Sequence, residues 1–188
     1  MRKAVQKRFF DLFLSLILLA ACFPLLIGIY LIVSIDTMSN GIFIQNRVGQ
    51  YGKGFNIYKF KTLHPKTQRI SRIGKILRKS KLDEFPQLWN VIKSDMSIVG
   101  PRPDIWGYYD KLVGEERKIL ELKPGITSLA SIKYRNEEEL LSKATDPLQY
   151  NDEVIFPDKV KMNLNYYYNQ SIALDLNILF QTFSKMMG

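Results

Sequence analysis

Asp83 and Glu84 stand side by side at the end of a long cationic stretch. Residues 37–82 contain no Asp or Glu, yet carry eleven Lys or Arg, among them Lys59, Lys61 and Arg78. A carboxylate kept ionised by neighbouring cations and helix amides can serve as a nucleophile or a metal ligand. The same groups can bind phosphate, and a divalent metal would reconcile the opposed charges. The structural alternative is plain: two acids near a helix N-terminus stabilise its dipole. Arg102 is a second candidate. It lies between Pro101 and Pro103, and residues before proline avoid the helical region, so the segment is extended and stiff. A rigid loop presenting one guanidinium suits bidentate phosphate recognition; otherwise it is a turn with a solvent-facing arginine. Tyr166, Tyr167 and Tyr168 offer stacking surfaces for a base, or core aromatics. One cysteine, Cys22, and one histidine, His64, exclude an intramolecular disulfide framework, multi-cysteine metal sites and H-E-x-x-H-type clusters.

These residues belong to a chain of 188 residues with 46% hydrophobic and 24% charged content, enough apolar material for a real core. Disordered tails and low-complexity linkers are excluded. The balance of 27 Lys+Arg against 18 Asp+Glu gives a net charge of +9, so the expected partners are polyanions: nucleic acid, acidic lipid or phosphorylated substrates. A later stretch, from Glu137 to Asp158, is acidic.

From Leu12 to Ile35 no residue is charged, and Arg2, Lys3, Lys7 and Arg8 precede this run. A cleaved signal fits poorly, because Asp11 opens the run and uncharged residues continue well past Cys22. A spanning helix would reach roughly 36 Å, enough for a bilayer core. Its difficulty is that both flanks are basic and both ask for the cytoplasmic side. A re-entrant hairpin bent at Pro24 satisfies both flanks, with each arm reaching about half the hydrocarbon thickness. Physics alone leaves spanning and re-entrant readings open.

In the remainder, Gly41–Gln45 and Phe55–Thr62 read as two strands of a hairpin around Gly49, Gly52 and Gly54. The glycine string lacks phosphate-loop spacing and reads as a turn. Ile73, Ile76 and Leu77 predict a short helix over 72–79 with cations opposite. Pro86 is tolerated only in a first helical turn, which predicts a helix starting very close to Asp83, with Ser80 as a second candidate cap. Lys123–Thr127 reads as a further turn.

Taken in order, these pieces resemble a known family, the monotopic bacterial sugar transferases or polyprenyl-phosphate phosphoglycosyl transferases. The similarity is carried by Lys7-Arg8-Phe9-Phe10-Asp11, the Pro24 position, Gln45-Asn46-Arg47-Val48-Gly49 and Tyr58-Lys59-Phe60-Lys61-Thr62. It continues through the ten residues from Leu82 to Val91, Asp95-Met96-Ser97, Gly100-Pro101-Arg102-Pro103 and Pro124-Gly125-Ile126-Thr127. The resemblance implies a re-entrant membrane helix in the cytoplasmic leaflet and amphipathic helices packing the body against the membrane. It implies transfer of a phospho-sugar from a UDP-sugar to polyprenyl (undecaprenyl) phosphate, with release of UMP and a requirement for magnesium (Mg2+). Asp83 matches the family's nucleophile, which forms a covalent phosphoglycosyl intermediate, and Glu84 matches its companion. The two are also the metal candidates. Arg78 and Arg102 match phosphate-contacting arginines, and Lys59 and Lys61 join them as candidate substrate-binding residues.

Several positions depart from the family pattern. Phe23 stands where a serine often precedes the membrane proline, and the link from Thr62 to Arg72 is unusually short. The segment Ser128–Asn136 lacks the common Gly, Trp and Gln, which leaves the sugar unassigned. The end of the sequence at Gly188 is expected to leave no room for a regulatory domain. The expectation is thus an α/β fold, mainly helical with a small hairpin. A re-entrant membrane helix over 1–36 precedes a membrane-associated catalytic domain over 37–188 at the cytoplasmic face of a bacterial inner membrane. Inner-membrane lipid is an expected partner, nucleic acid is not, and a homodimer stays open. The rival reading is a non-catalytic membrane module whose basic stretch binds acidic lipid or nucleic acid; a polyanion binder gains nothing from two acids at the end of its cationic surface.

Overall fold

The computed structural model describes residues 2–67 and 69–187, with the side chains of residues 4–67 and 69–185. The flanking side chains of Arg2 and Lys3, and the terminal Gly188, therefore lie outside the described residues. The protein is mostly helical, with two small sheets of two strands each. Helix α1 (Arg2–Asp36) leads into strands β1 (Ile42–Val48) and β2 (Gly54–Phe60), then helices α2 (Arg72–Ser80) and α3 (Gln87–Ile92) and strand β3 (Ser97–Val99). Strand β4 (Gly125–Thr127) is followed by α4 (Leu129–Lys133), α5 (Glu137–Lys143), α6 (Pro147–Tyr150), α7 (Phe156–Asn169) and α8 (Ile172–Met187). The chain forms two compact units, one of Met1–Arg47 with Gly54–Ile98, the other of Val48–Lys53 with Val99–Gly188.

In the first unit, α1 is long and apolar enough to cross a membrane by length and composition. It continues through Pro24 without a non-helical residue, so the two expected arms are parts of one helix. Two regions of α1 are covered by protein. Ile29 and Val33 share a core with Phe60 and Leu77, and Leu26, Ile42, Ile73 and Leu82 pack around it. Near the N-terminus, Asp11 and Ser15 are buried. Between these regions every residue from Leu16 to Gly28 is exposed or half-buried, including Phe23 and Leu25.

The buried N-terminal region is held by ionic ties. The Arg8 guanidinium donates to Val91 O at 2.6 Å and to Ile92 O at 2.9 Å, capping the end of α3. The last carbonyls of a helix lack intrahelical partners, so a cation there satisfies them and the dipole together. Asp11, only 2% exposed, accepts from Lys7 Nζ at 3.0 Å, Ser97 Oγ at 2.8 Å and the Ile98 amide at 3.2 Å.

The hairpin forms as its glycines predict, although β2 ends at Phe60 rather than Thr62. Its turn carries Tyr51 at φ 59° and Gly52 at φ 73°. The short link to α2 is closed by an antiparallel bridge between Leu63 and Ile70. Ser71 caps α2 by accepting from the Gly74 amide at 2.8 Å. Gly74 is required by packing: a Cβ there would lie 2.4 Å from Thr62 O. The helix expected to start near Asp83 starts at Gln87, and Leu82–Glu84 form a separate 3-10 turn. Pro86 has no amide to continue a ladder, so it sits just before the helix instead of inside its first turn. Ser80 is not a cap; its hydroxyl donates back to Ile76 O and Leu77 O.

The second unit is built on Val48, Tyr109, Leu112, Ile119, Leu120 and Val160, with Phe156 and Leu164 packed alongside. Lys123–Thr127, expected as a turn, supplies strand β4 in its second half. A Cβ on Gly125 would come within 2.1 Å of the Gly100 amide nitrogen, so only glycine permits this approach. Of the three consecutive tyrosines, Tyr166 is core, its hydroxyl donating to Asp175 Oδ1 at 2.6 Å, while Tyr168 is exposed.

Replacing Asp11 by Ala removes the acceptor from a buried hydroxyl and a buried amide. The expected loss is about 2–6 kcal/mol, one to three for each of the two orphaned groups, read as a lowered midpoint of thermal unfolding in detergent. Asp11→Asn keeps an acceptor oxygen and is expected to lose less.

Candidate active site

Asp83 and Glu84 lie in the 3-10 turn Leu82–Glu84, wedged between the end of α2 and the start of α3. Lys81 ends α2 in the left-handed conformation at φ 57°, which turns the chain into the site. Both acids are buried, at 9% and 7% exposure. Glu84 Oε1 lies 2.9 Å from Lys59 Nζ, an ion pair in which both side chains are largely covered. Lys59 belongs to β2, and the register of β2 against α3 is set by one side chain. Asn90, fully buried, accepts from the Tyr58 amide at 3.1 Å and donates to Asn56 O at 2.7 Å. The amide thus takes the place of a neighbouring strand along β2.

Asp83 is more basic than an ordinary aspartate. Burial is the largest cause and the Glu84 charge adds to it; Lys59, Lys81 and Arg78 oppose both without overcoming them. The cationic stretch suggested a carboxylate kept ionised, and the structure reverses that balance because desolvation outweighs the cations. Asp83 Oδ1 is buried without a hydrogen-bond partner among the described residues. The ionised form therefore costs folding free energy at pH values above the usual aspartate range.

The structure brings together Asp83, Glu84 and Lys59, with Arg78 and Lys81 close enough for their charges to act on Asp83. Arg78 is oriented by Thr62, whose Oγ1 accepts from its Nε at 2.8 Å. Lys61 goes elsewhere: its ammonium donates to Ser39 Oγ at 3.1 Å, just beyond the end of α1. Arg102 is exposed and belongs to the second unit, and Pro24 lies within α1. Lys81 and Asn90 carry roles that the sequence analysis did not single out. Lys81 was legible as one more cation beside the acids, whereas nothing in the sequence marks Asn90 as a backbone partner of β2.

Among the described residues no group of three or more His, Cys, Asp or Glu could hold a metal. Two carboxylates with one orphaned oxygen match the donor set that Mg2+ takes from a protein when substrate phosphates and water complete the shell. The residues present fit that ion and not an all-protein metal cage.

A sugar transferase of Bacillus subtilis, EpsL, is 33% identical over 97% of this chain and 88% of its own length. The galactosyl transferase CpsE of Streptococcus agalactiae is 33% identical over 95% of this chain, which spans only 41% of that protein. The UDP-glucose:undecaprenyl-phosphate glucose-1-phosphate transferase of Caulobacter vibrioides is 28% identical over 97% of this chain and 70% of its own length. The family model for bacterial sugar transferases matches residues 2–188, and the chain, Asp83–Glu84 turn and apolar helix included, belongs to that family.

Proposed function

We propose that the protein is a sugar-phosphate transferase that moves a phospho-sugar from a UDP-sugar to polyprenyl (undecaprenyl) phosphate. The observation that carries this reading is a buried Asp83 with an unpartnered oxygen, beside the Glu84–Lys59 pair and the Arg78 and Lys81 charges. The Caulobacter relative is named for that donor class and acceptor. The relatives carry glucose and galactose in their names, so the sugar is left open.

In the proposed reaction an Asp83 oxygen attacks the sugar-linked phosphorus. The bond to the bridging oxygen breaks and UMP leaves with that electron pair. The aspartyl phospho-sugar is then attacked at the same phosphorus by a polyprenyl phosphate oxygen, which frees the carboxylate and yields the polyprenyl diphosphate sugar. Burial leaves Asp83 poorly solvated and more basic than usual, which favours attack once it is ionised. Lys59, Arg78 and Lys81 supply charge for the diphosphate; the planar fork of Arg102, on the second unit, suits a phosphate. Magnesium, held by Asp83 and Glu84, would neutralise charge on the diphosphate.

The membrane reading is part of the proposal. Both covered regions of α1 meet the same unit, Arg8 and Asp11 at α3 and β3, Ile29 and Val33 at α2 and β2. The apolar stretch from Leu16 to Gly28, exposed or half-buried, lies between them, with Pro24 inside it. This supports a membrane segment over 1–36 that dips into the cytoplasmic leaflet of the inner membrane and returns, meeting lipid with the exposed side chains of that stretch and leaving 37–188 as the catalytic body.

Asp83→Asn is expected to lower UMP release on the order of 10⁴-fold while leaving thermal stability unchanged or raised, because a desolvated charge is removed. Near-normal UMP release would sink the assignment. The acid limb of kcat/KM is expected above the ordinary aspartate value of 3.8, since Asp83 stays protonated to higher pH. Arg102→Lys keeps the charge and loses the fork, with turnover expected to fall about tenfold; unchanged kinetics would show that Arg102 takes no part. In a Cys22→Ser background, Arg2→Cys and Tyr51→Cys are expected to be labelled from the same side of sealed vesicles. Labelling from opposite sides would establish a spanning helix and leave the chemistry untouched.

A further inference from the structure

Lys59 occupies Glu84 in a way that bears on how the site takes up its ligands. The ammonium sits 2.9 Å from Glu84 Oε1, with the two side chains 19% and 9% exposed, so the pair is partly desolvated. The backbone that carries Lys59 is fixed, because Asn90 holds β2 at Asn56 and Tyr58. The side chain beyond it is a flexible four-carbon stem ending in a point charge, able to exchange one oxygen partner for another. A divalent cation and an ammonium cannot both neutralise the same carboxylate without close like-charge repulsion. With Asp83 beside it and also buried, Glu84 cannot simply be left bare.

We infer that Lys59 is a displaceable counter-ion: it holds Glu84 Oε1 until a diphosphate arrives, then passes to a phosphate oxygen and yields its place on that oxygen to the divalent cation. Metal and diphosphate therefore bind as one coupled unit, each weak without the other. This coupling rests on the metal-dependent transferase reading above. Glu84 becomes a metal-holding group only when phosphate is present to take Lys59, which keeps the carboxylate pair from collecting a cation unproductively.

The test is Mn2+ binding to the full-length protein in detergent, read from the loss of the free-ion EPR signal, with and without UDP as an unreactive diphosphate. For the wild type, UDP is expected to tighten Mn2+ binding about tenfold or more, and Mn2+ to tighten UDP by the same factor. Lys59→Gln is expected to bind Mn2+ alone about tenfold tighter than the wild type and to lose most of the enhancement by UDP. Equal Mn2+ affinity of wild type and Lys59→Gln without UDP, with UMP release by the wild type intact, overturns the exchange and leaves the transferase reading standing. Absence of Mn2+ binding to the wild type with UDP present overturns both. Should Lys59→Gln fail to fold, Lys59→Arg decides: it keeps the charge on Glu84 through a less readily displaced fork, so UDP-driven Mn2+ uptake is expected to drop. Full retention of that uptake would overturn the exchange.

Discussion

The rest of the first unit depends on the tie between the start of α1 and the end of α3. Arg8 and Val91 are 83 residues apart, and their hydrogen bond joins the membrane-competent helix to the helix that follows the two carboxylates. Arg8 satisfies terminal carbonyls that no intrahelical amide can reach, and Asp11 satisfies the hydroxyl and amide at the start of β3. Removing the ionic groups would leave both ends of the α3–β3 segment with buried polar atoms and no partner. The helix that is long and apolar enough to cross a membrane is therefore also part of the scaffold of the acidic turn.

Around that scaffold the site is a contest between burial and charge. Two neighbouring acids are taken out of water at the end of a cationic stretch, and desolvation prevails at Asp83. The site thus holds an aspartate more basic than usual, with one oxygen left without a partner. Lys59 and Asn90 act through different physics toward the same geometry. Lys59 supplies charge through an ion pair to Glu84, while Asn90 supplies hydrogen bonds that hold the strand from which Lys59 extends.

Membership of the bacterial sugar transferase family accounts for both features together, an apolar helix and a buried acidic pair in one short chain. The apolar helix α1 packs directly against α2 and β2, so the acidic turn that follows α2 is built in the same unit as that helix. Relatives that this chain matches over nearly its whole length differ in the sugars they are named for.

Much of this was legible in the sequence because it is local. The hairpin glycines, the apolar spacing of Ile73 and Leu77 and the uncharged run after Asp11 act over one or two turns of chain, so the hairpin, α2 and an apolar helix are present, although the strand ends shift by a few residues and α1 runs unbroken through Pro24. The acid-free stretch ending at Asp83 and Glu84 likewise singled out the acidic pair by composition alone. What tertiary structure decided is long-range or a balance of opposing effects. Lys61 looked equivalent to Lys59 two residues earlier, yet folding carries it to Ser39. The start of α3 moved from Asp83 to Gln87, because Pro86 permits a helix only after itself and the preceding residues settle into a tighter turn. The protonation preference of Asp83 followed from burial, a property no neighbouring residue encodes. Asn90 and Arg8 gained their roles by meeting backbone groups dozens of residues away. Sequence periodicity reports what a segment does to itself, and only the packed chain determines which buried polar group meets which partner.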